Sequence, residues 1–500
     1  MQWHELQQSS RHQPSVIRTV LLFLWASCGL YLAGCSSFTS TPVDILEQPA
    51  IAAEQAAVIE AITKQLPINS TLILPQRANQ QGAIQYVDLD NDQTDEVIVS
   101  YQDQYRQPEI LIWKQLPNEQ WYVFTRIRAS LASELDWLQI VDIDQDGTKE
   151  LLVGWIIDDE RNGLLELYSI TESEQTKPDD SELEMQLQPL ATYEYHMTAL
   201  NETFSNGAGS APELISERTM QLALITKKKQ EDHAQSEVYQ LVVYGWSAQQ
   251  QQLIPLATTT LNSEVNDYTV LQIGNIARAR QGVIVEASVG AHGTLSTMYL
   301  FTGDKLQAII PKQMADGFNE SSAFSRDMNE DGILELEWRV AAPDSVDKSY
   351  AETTYISKWL QWDGRESFHI IQEQINDYRY NVAINIPATW SDHYTIDFTE
   401  REEKQLFELF YWDKENKVRY LLATVYAVEQ QKWHKWLVDE RSKQEAEFTI
   451  VWRDSGNIFA MMPASLAISN DLSSEKQAVY MKMKEQLQSA EQFFQPLYRE

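Results

Sequence analysis

The chain is poor in cysteine, histidine and basic residues, and each shortage argues against a class of protein. Two cysteines and eight histidines in 500 residues form no Cys-x-x-Cys pair, and the scattered histidines do not favour a zinc site. Lys and Arg total 39 against 73 Asp and Glu, a formal net charge of -34, whereas nucleic-acid binding depends on clustered cations. No His-Glu-x-x-His helix, phosphate-binding glycine loop or dinucleotide fingerprint occurs.

Long apolar runs are also scarce, and the main one lies near the N-terminus. Val20 to Ala33 is apolar over about fourteen residues, which is short for a membrane span. It ends in Leu32-Ala33-Gly34-Cys35-Ser36, which matches a bacterial lipobox with Cys35 as the lipidated residue. We predict a signal peptide over residues 1–34, a flexible tether over 35–50, and an extracytoplasmic protein anchored to the membrane through Cys35. An ordinary signal peptide or a transmembrane anchor is the alternative.

Three acidic segments share one spacing. Each places oxygen-bearing side chains at positions 1, 3, 5 and 9, and the main-chain carbonyl at position 7 adds another oxygen. Calcium takes about six to eight oxygen ligands, several of them carboxylates, so we predict two or three structural calcium sites. The candidate ligands are Asp88, Asp90, Asp92, Thr94 and Glu96; Asp142, Asp144, Asp146, Thr148 and Glu150; and Asp327, Asn329, Asp331, Ile333 and Glu335. The alternative is acidic turns in solvated hairpins.

These loops differ from EF-hands, which end in a Glu at position 12 between two helices. Their flanks favour strands, as in Ala83–Val87 and Val97–Tyr101. A calcium loop between two strands resembles the FG-GAP/VCBS type of β-propeller repeat. Position 6 favours glycine because the turn there is sharp. Gly147 and Gly332 meet this need, but the first loop has Gln93, so we expect the first site to bind more weakly.

The acidic loops also reveal a repeat of about four strands over roughly 50–60 residues. Five such units, with a sixth not excluded, predict a mainly β fold: a β-propeller of about five blades, some of them degenerate. Residues 51–376 would hold a helix from Glu54 to Leu66 and this propeller. From residue 377 onward, strands alternate with two helices, which predicts a small α+β domain over 377–500.

The layout resembles uncharacterised lipoproteins of Firmicutes with VCBS-type repeats, a family that implies no agreed activity. We predict a cell-surface, calcium-stabilised binding or assembly protein without catalytic activity, whose partner is a protein or a glycan. One alternative is an extracellular polysaccharide hydrolase or lyase with paired carboxylates in the propeller cleft and with tryptophans such as Trp338, Trp359, Trp362 and Trp390 stacking on sugars. A second is an extracytoplasmic folding or export helper.

Overall fold

The computed structural model describes most of the chain after residue 57. The described residues are 58–60, 62–64, 66–77, 82–116, 120–158, 162–170, 187–201, 220–229, 237–345, 348–398, 405–444, 448–464 and 472–497. The chain divides into two compact units, Met1–Pro67 and Ile68–Glu500. The predicted signal peptide, Cys35 and the tether lie outside the described residues.

In the first unit, residues 58–60 and 62–64 are helical, within the segment where a helix was predicted. The Leu66 N–H donates to the Ile62 carbonyl oxygen at 3.0 Å, and Ile62 is buried. The predicted range 51–376 groups this helix with the sheets that follow, and the division after Pro67 places it in the unit Met1–Pro67.

The second unit is mainly β, which confirms the broad fold class. Its described residues form six antiparallel sheets in chain order. The first sheet contains β1 (Thr71–Leu72), β2 (Ile84–Val87), β3 (Glu96–Gln102), β4 (Pro108–Gln115) and β5 (Trp121–Arg128). The second contains β6 (Glu134–Val141), β7 (Glu150–Ile156), β8 (Gly163–Ser169) and β9 (Ala191–Tyr195). The third contains β10 (Met197–Asn201), β11 (Gln221–Lys229), β12 (Glu237–Ser247) and β13 (Gln252–Thr260).

The remaining three sheets follow the same plan of adjacent antiparallel strands. The fourth contains β14 (Asp267–Ala277), β15 (Arg280–Val289), β16 (Gly293–Thr302), β17 (Lys305–Ile309) and β18 (Phe318–Asn319). The fifth contains β19 (Leu336–Ala341), β20 (Tyr355–Trp362), β21 (Phe368–Asp377) and β22 (Val382–Ile386). The sixth contains β23 (Tyr394–Asp397), β24 (Gln405–Asp413), β25 (Val418–Glu429), β26 (Thr449–Arg453) and β27 (Asn457–Pro463), with β27 between β25 and β26.

Two α-helices and one late strand complete the described chain. The helices are α1 (Trp433–Gln444) and α2 (Ser474–Gln486), and β28 (Phe494–Pro496) joins the fifth sheet beside β22. The Ser473 side chain caps α2 by accepting from the Lys476 N–H. Short 3-10 turns cover residues 315–317, 350–352, 388–390, 430–432 and 487–493.

Alternate side chains of one strand pack into two different hydrophobic cores. In β7, Leu151 and Val153 pack into a core shared with the first sheet, whereas Leu152 packs into a core shared with the third. In β15, Val283 and Ile284 divide in the same way between the third and fifth sheets. Successive side chains of a strand point to opposite faces. An apolar run such as Leu-Leu-Val therefore marks a strand that is covered on both faces.

Cores of this kind join each sheet to the next along the chain, from the first to the sixth. Among the described residues, no hydrophobic cluster joins the sixth sheet to the first. The residues that the structure describes therefore show face-to-face packing in series but not a closed propeller.

The separate α+β domain predicted from residue 377 is not confirmed. Its strands and helices occur close to their predicted positions, but β21 pairs directly with β22, with Asp377 opposite Val382. One hydrophobic core also contains Ile375 and Ile384 of the fifth sheet together with Phe407 of the sixth. Hydrogen bonding and packing thus continue through the predicted boundary, because the strands after it extend the sheet that precedes it.

Candidate metal centre

All three acidic segments close hairpins of the same length. The residue before position 1 pairs with the glutamate at position 9 in each case: Val87 with Glu96, Val141 with Glu150, and Arg326 with Glu335. The first two loops lie between full strands, as predicted. The third is preceded by an isolated bridge at Arg326 rather than by a strand.

A shared set of hydrogen bonds shapes the three loops. The position-9 glutamate accepts from the position-2 N–H at 2.8, 2.9 and 2.9 Å in the first, second and third loops. The position-1 aspartate accepts from the position-6 N–H at 3.0, 3.1 and 2.8 Å. The position-5 aspartate accepts from the position-7 N–H at 2.7, 2.8 and 2.9 Å. At least one oxygen of each of these carboxylates is thus used to shape the loop, and both oxygens of Asp88 and Asp327 are used in this way.

The backbone at position 6 is left-handed in all three loops. Gly147 has a φ of 97° and Gly332 a φ of 82°, while Gln93 has a φ of 72°. A side chain in this region costs on the order of 1 kcal/mol relative to glycine. The first loop therefore carries local strain at the residue where the sequence predicted it.

Two of the loops bring three carboxylates together. In the second loop, oxygens of Asp142, Asp144 and Asp146 lie within 4.8 Å of one another. In the first loop, Asp88, Asp90 and Glu96 form such a group with Asp92 outside it. Among the described residues, Asp327, Asp331 and Glu335 of the third loop do not form a group of this kind.

The position-9 glutamates are the buried members of the loops. Glu96 and Glu150 are each 2% exposed and Glu335 is 0% exposed. Burial raises the pKa of each of these glutamates to about 7, and the charges of neighbouring aspartates act in the same direction. A nearby cation would favour their ionised forms.

A residue from the following strand faces each of these glutamates. Ser169 lies directly opposite Glu150. Continuing the registers of the other two hairpins puts Lys114 opposite Glu96 and Gln361 opposite Glu335. The Lys114 Nζ lies 2.5 Å from Asp90 Oδ2 and 4.0 Å from Glu96 Oε1.

The second loop fits a hard divalent cation best. Asp142 Oδ1 is buried and has no hydrogen-bond partner, and such an orphaned oxygen calls for a ligand. Asp90 Oδ1 is unpartnered as well, but the other oxygen of that carboxylate, Oδ2, accepts a hydrogen bond from Lys114 Nζ. The donor set is entirely oxygen, which suits calcium or magnesium rather than zinc or copper. The Thr148 hydroxyl donates to Asp146 Oδ1 at 2.6 Å and so helps to hold the conformation of the loop.

Adjacent units are also linked through these loops. The Lys149 N–H, at position 8 of the second loop, donates to the Leu89 carbonyl of the first loop at 2.8 Å. The Leu334 N–H, at position 8 of the third loop, donates to the Asn275 carbonyl at 2.7 Å. The loops therefore hold neighbouring sheets together as well as closing their own hairpins.

Other side chains that could bind a ligand or take part in a reaction are packed against neighbouring residues. Trp359 and Trp390 are fully buried and Trp362 is 5% exposed, so these rings fill cores rather than form an open platform. His292 stacks on Tyr350 with ring centroids 3.8 Å apart. Within the described part of the chain, no helix is both long enough and apolar enough to cross a membrane.

Comparisons with known proteins do not identify a family for this chain. No protein-family model matches the chain, and no curated protein matches it. The resemblance to calcium-loop repeats consequently rests on the three loops and their spacing.

Proposed function

We propose that this protein is a lipid-anchored, calcium-stabilised binding or assembly protein on the outer face of a bacterial membrane, without catalytic activity. The finer architecture we propose is a ring of propeller blades. Six antiparallel sheets that pack face to face in chain order support that architecture. The lipobox ending in Cys35 supports the anchor.

The observation that carries the proposal is the second loop. Its three aspartates converge within 4.8 Å, and Asp142 keeps a buried oxygen without a partner. The Glu150 side chain is buried beside them, while Asp142 and Asp144 are half-buried and Asp146 is exposed, so the loop concentrates negative charge at the boundary between core and solvent. Calcium would offset this repulsion and satisfy the free oxygen. The metal would hold a hairpin and its contact with the first sheet rather than take part in a reaction.

Calcium titration by calorimetry tests the metal part of the proposal. Protein from Ser36 onward should bind calcium with a dissociation constant of roughly 0.1–1 mM, as extracellular modules do, and should melt at a higher temperature in calcium than in chelator. Asp142→Asn should weaken binding. The matched control is Asp95→Asn, which removes an exposed charge at position 8 of the first loop. If the protein binds no calcium at calcium concentrations of several millimolar, calcium stabilisation is refuted.

Two further assays address the anchor and the lack of catalysis. Full-length protein expressed in a bacterium should partition into the membrane fraction with lipid attached, and Cys35→Ser should abolish incorporation of the lipid. Purified protein should leave cell-wall glycans and peptides unchanged. Measurable turnover of either would replace the binding role with the hydrolase or lyase alternative.

A further inference from the structure

The three loops differ most in the side chain that faces the position-9 glutamate. That side chain is a lysine in the first loop, a serine in the second and a glutamine in the third. We propose that this facing residue determines which loop takes a divalent cation, so that only the second loop does so. The inference rests on the proposed function for the second loop and extends it to the selectivity among the three.

In the first loop, the ammonium of Lys114 takes the place of a metal. Its Nζ lies 2.5 Å from Asp90 and 4.0 Å from Glu96, two of the three carboxylates that cluster in this loop. The Lys114 side chain is only 8% exposed, and its Nζ lies 4.6 Å from the centroid of the Phe124 ring. A calcium ion at the same oxygens would be repelled by this buried positive charge.

In the third loop, the neutral amide of Gln361 occupies the carboxylate oxygens that a metal would need. The Gln361 Nε2 donates to Asp331 Oδ2 at 3.0 Å and to Glu335 Oε1 at 2.9 Å. The Asn329 amide also donates to Asp331 Oδ2, at 3.0 Å. Asn329 stands where the other loops have an aspartate, so there are fewer carboxylates to neutralise, and two amides already satisfy them.

The second loop lacks such an internal partner. Ser169 is neutral and short, and it faces a loop that contains four carboxylates: Asp142, Asp144, Asp146 and Glu150. Asp142 Oδ1 remains buried and unpartnered there. Of the three otherwise similar loops, this one alone has an uncharged and short facing residue.

Exchanging the facing residues tests the inference. We expect wild-type protein to bind about one calcium per chain. Lys114→Ser, which copies the second loop, should bind a second equivalent and should melt at a lower temperature than wild type in chelator, with the loss recovered by calcium. Ser169→Lys, which copies the first loop, should bind none and should lose the calcium-dependent rise in melting temperature.

Two controls separate position from charge. Lys149→Ser removes one positive charge from the second loop at position 8, away from the facing position, and should leave the stoichiometry at one. Lys114→Gln combined with Asp90→Asn copies the third loop at the facing position and at position 3, and should create no new site. A second equivalent bound by either control would overturn the inference.

The outcomes distinguish this inference from the proposed function. Wild-type binding at three sites, or Lys114→Ser binding no more than wild type, would overturn the inference and leave calcium stabilisation standing. A wild type that binds nothing, with a Lys114→Ser variant that gains one site, would refute the second-loop site and support the role of Lys114. Should Lys114→Ser not fold in chelator, Ser169→Lys remains decisive, since retained binding in that variant would contradict the inference.

Discussion

Calcium affinity should weaken about tenfold between pH 8 and pH 6 because Glu150 must lose a proton to act as a ligand. Burial raises the pKa of Glu150 to about 7, and the three aspartates of its loop act in the same direction. A ligand with that pKa is mostly ionised at pH 8 and mostly protonated at pH 6. The apparent dissociation constant then rises by about tenfold, or ~1.4 kcal/mol.

Calorimetry in buffers of different ionisation enthalpy measures this coupling. At pH 7, binding of one calcium should release about half a proton, and at pH 8 much less. Glu150→Gln is the matched variant: it should bind more weakly at pH 8 and show a flatter pH dependence. An affinity that stays constant from pH 6 to pH 8 in the unaltered protein would show that Glu150 is not a ligand or is already ionised.

The same carboxyl group affects stability without metal. A pKa raised on folding, from the usual value of about 4.3 to about 7, means that the folded state binds protons more tightly than the unfolded state. In chelator, stability should therefore fall as the pH rises through 7, by ~1.4 kcal/mol between pH 6 and pH 8 for this one group. Saturating calcium should remove the contribution of Glu150 to this trend, which chemical denaturation at the two pH values in calcium and in chelator would reveal. Glu96 and Glu335, whose pKa is raised in the same way, should keep their contributions.

Two substitutions test the strain and the packing. Gln93→Gly should stabilise the protein by up to about 1 kcal/mol, since Gln93 has a φ of 72°. The control is Asn91→Gly, at a φ of 61°, which should change the stability less because asparagine tolerates this region. Equal effects of the two substitutions would contradict the strain argument. Leu151→Ala should cost about 2–5 kcal/mol in denaturant unfolding, because Leu151 is fully buried in the core between the first two sheets; a cost under about 1 kcal/mol would show that this core is loosely packed.

The local features were predictable, and the features that depend on register were not. The spacing of Asp142, Asp144 and Asp146 predicted a tight loop, and the left-handed backbone at Gln93 followed from its place at position 6. Lys114 and Gln361 could not be assigned to the loops from spacing, because they come from the next strand and reach the carboxylates only through hairpin pairing. That pairing leaves a trace in the sequence for the first two loops, since each is followed by a second strand at a similar distance, whereas the third has a longer connection between β19 and β20.

The domain boundary predicted at residue 377 is not confirmed, for a related reason. The sequence predicts it from a change in helix content after that residue. Helix content reports local propensity, whereas a domain is defined by packing, and β22 completes the sheet begun by β19. The acidic loops predict five repeats, and the strands of the sixth sheet are left out of that count because two helices, Trp433–Gln444 and Ser474–Gln486, lie among and after them and favour a separate α+β domain.

The pairing of β22 with β28 affects how the protein can form during synthesis. Most strands of the first four sheets pair with a neighbour that follows within a short hairpin, so these sheets can form as the chain emerges. The strand at Val382–Ile386 pairs with β21 through a short hairpin, but its other edge must wait for Phe494–Pro496, about a hundred residues later. Contacts between residues so distant in sequence form slowly. We expect this edge of the fifth sheet to stay exposed until Phe494–Pro496 has been made. An exposed strand edge can pair with another chain, so this is an edge at which the nascent protein needs protection from aggregation.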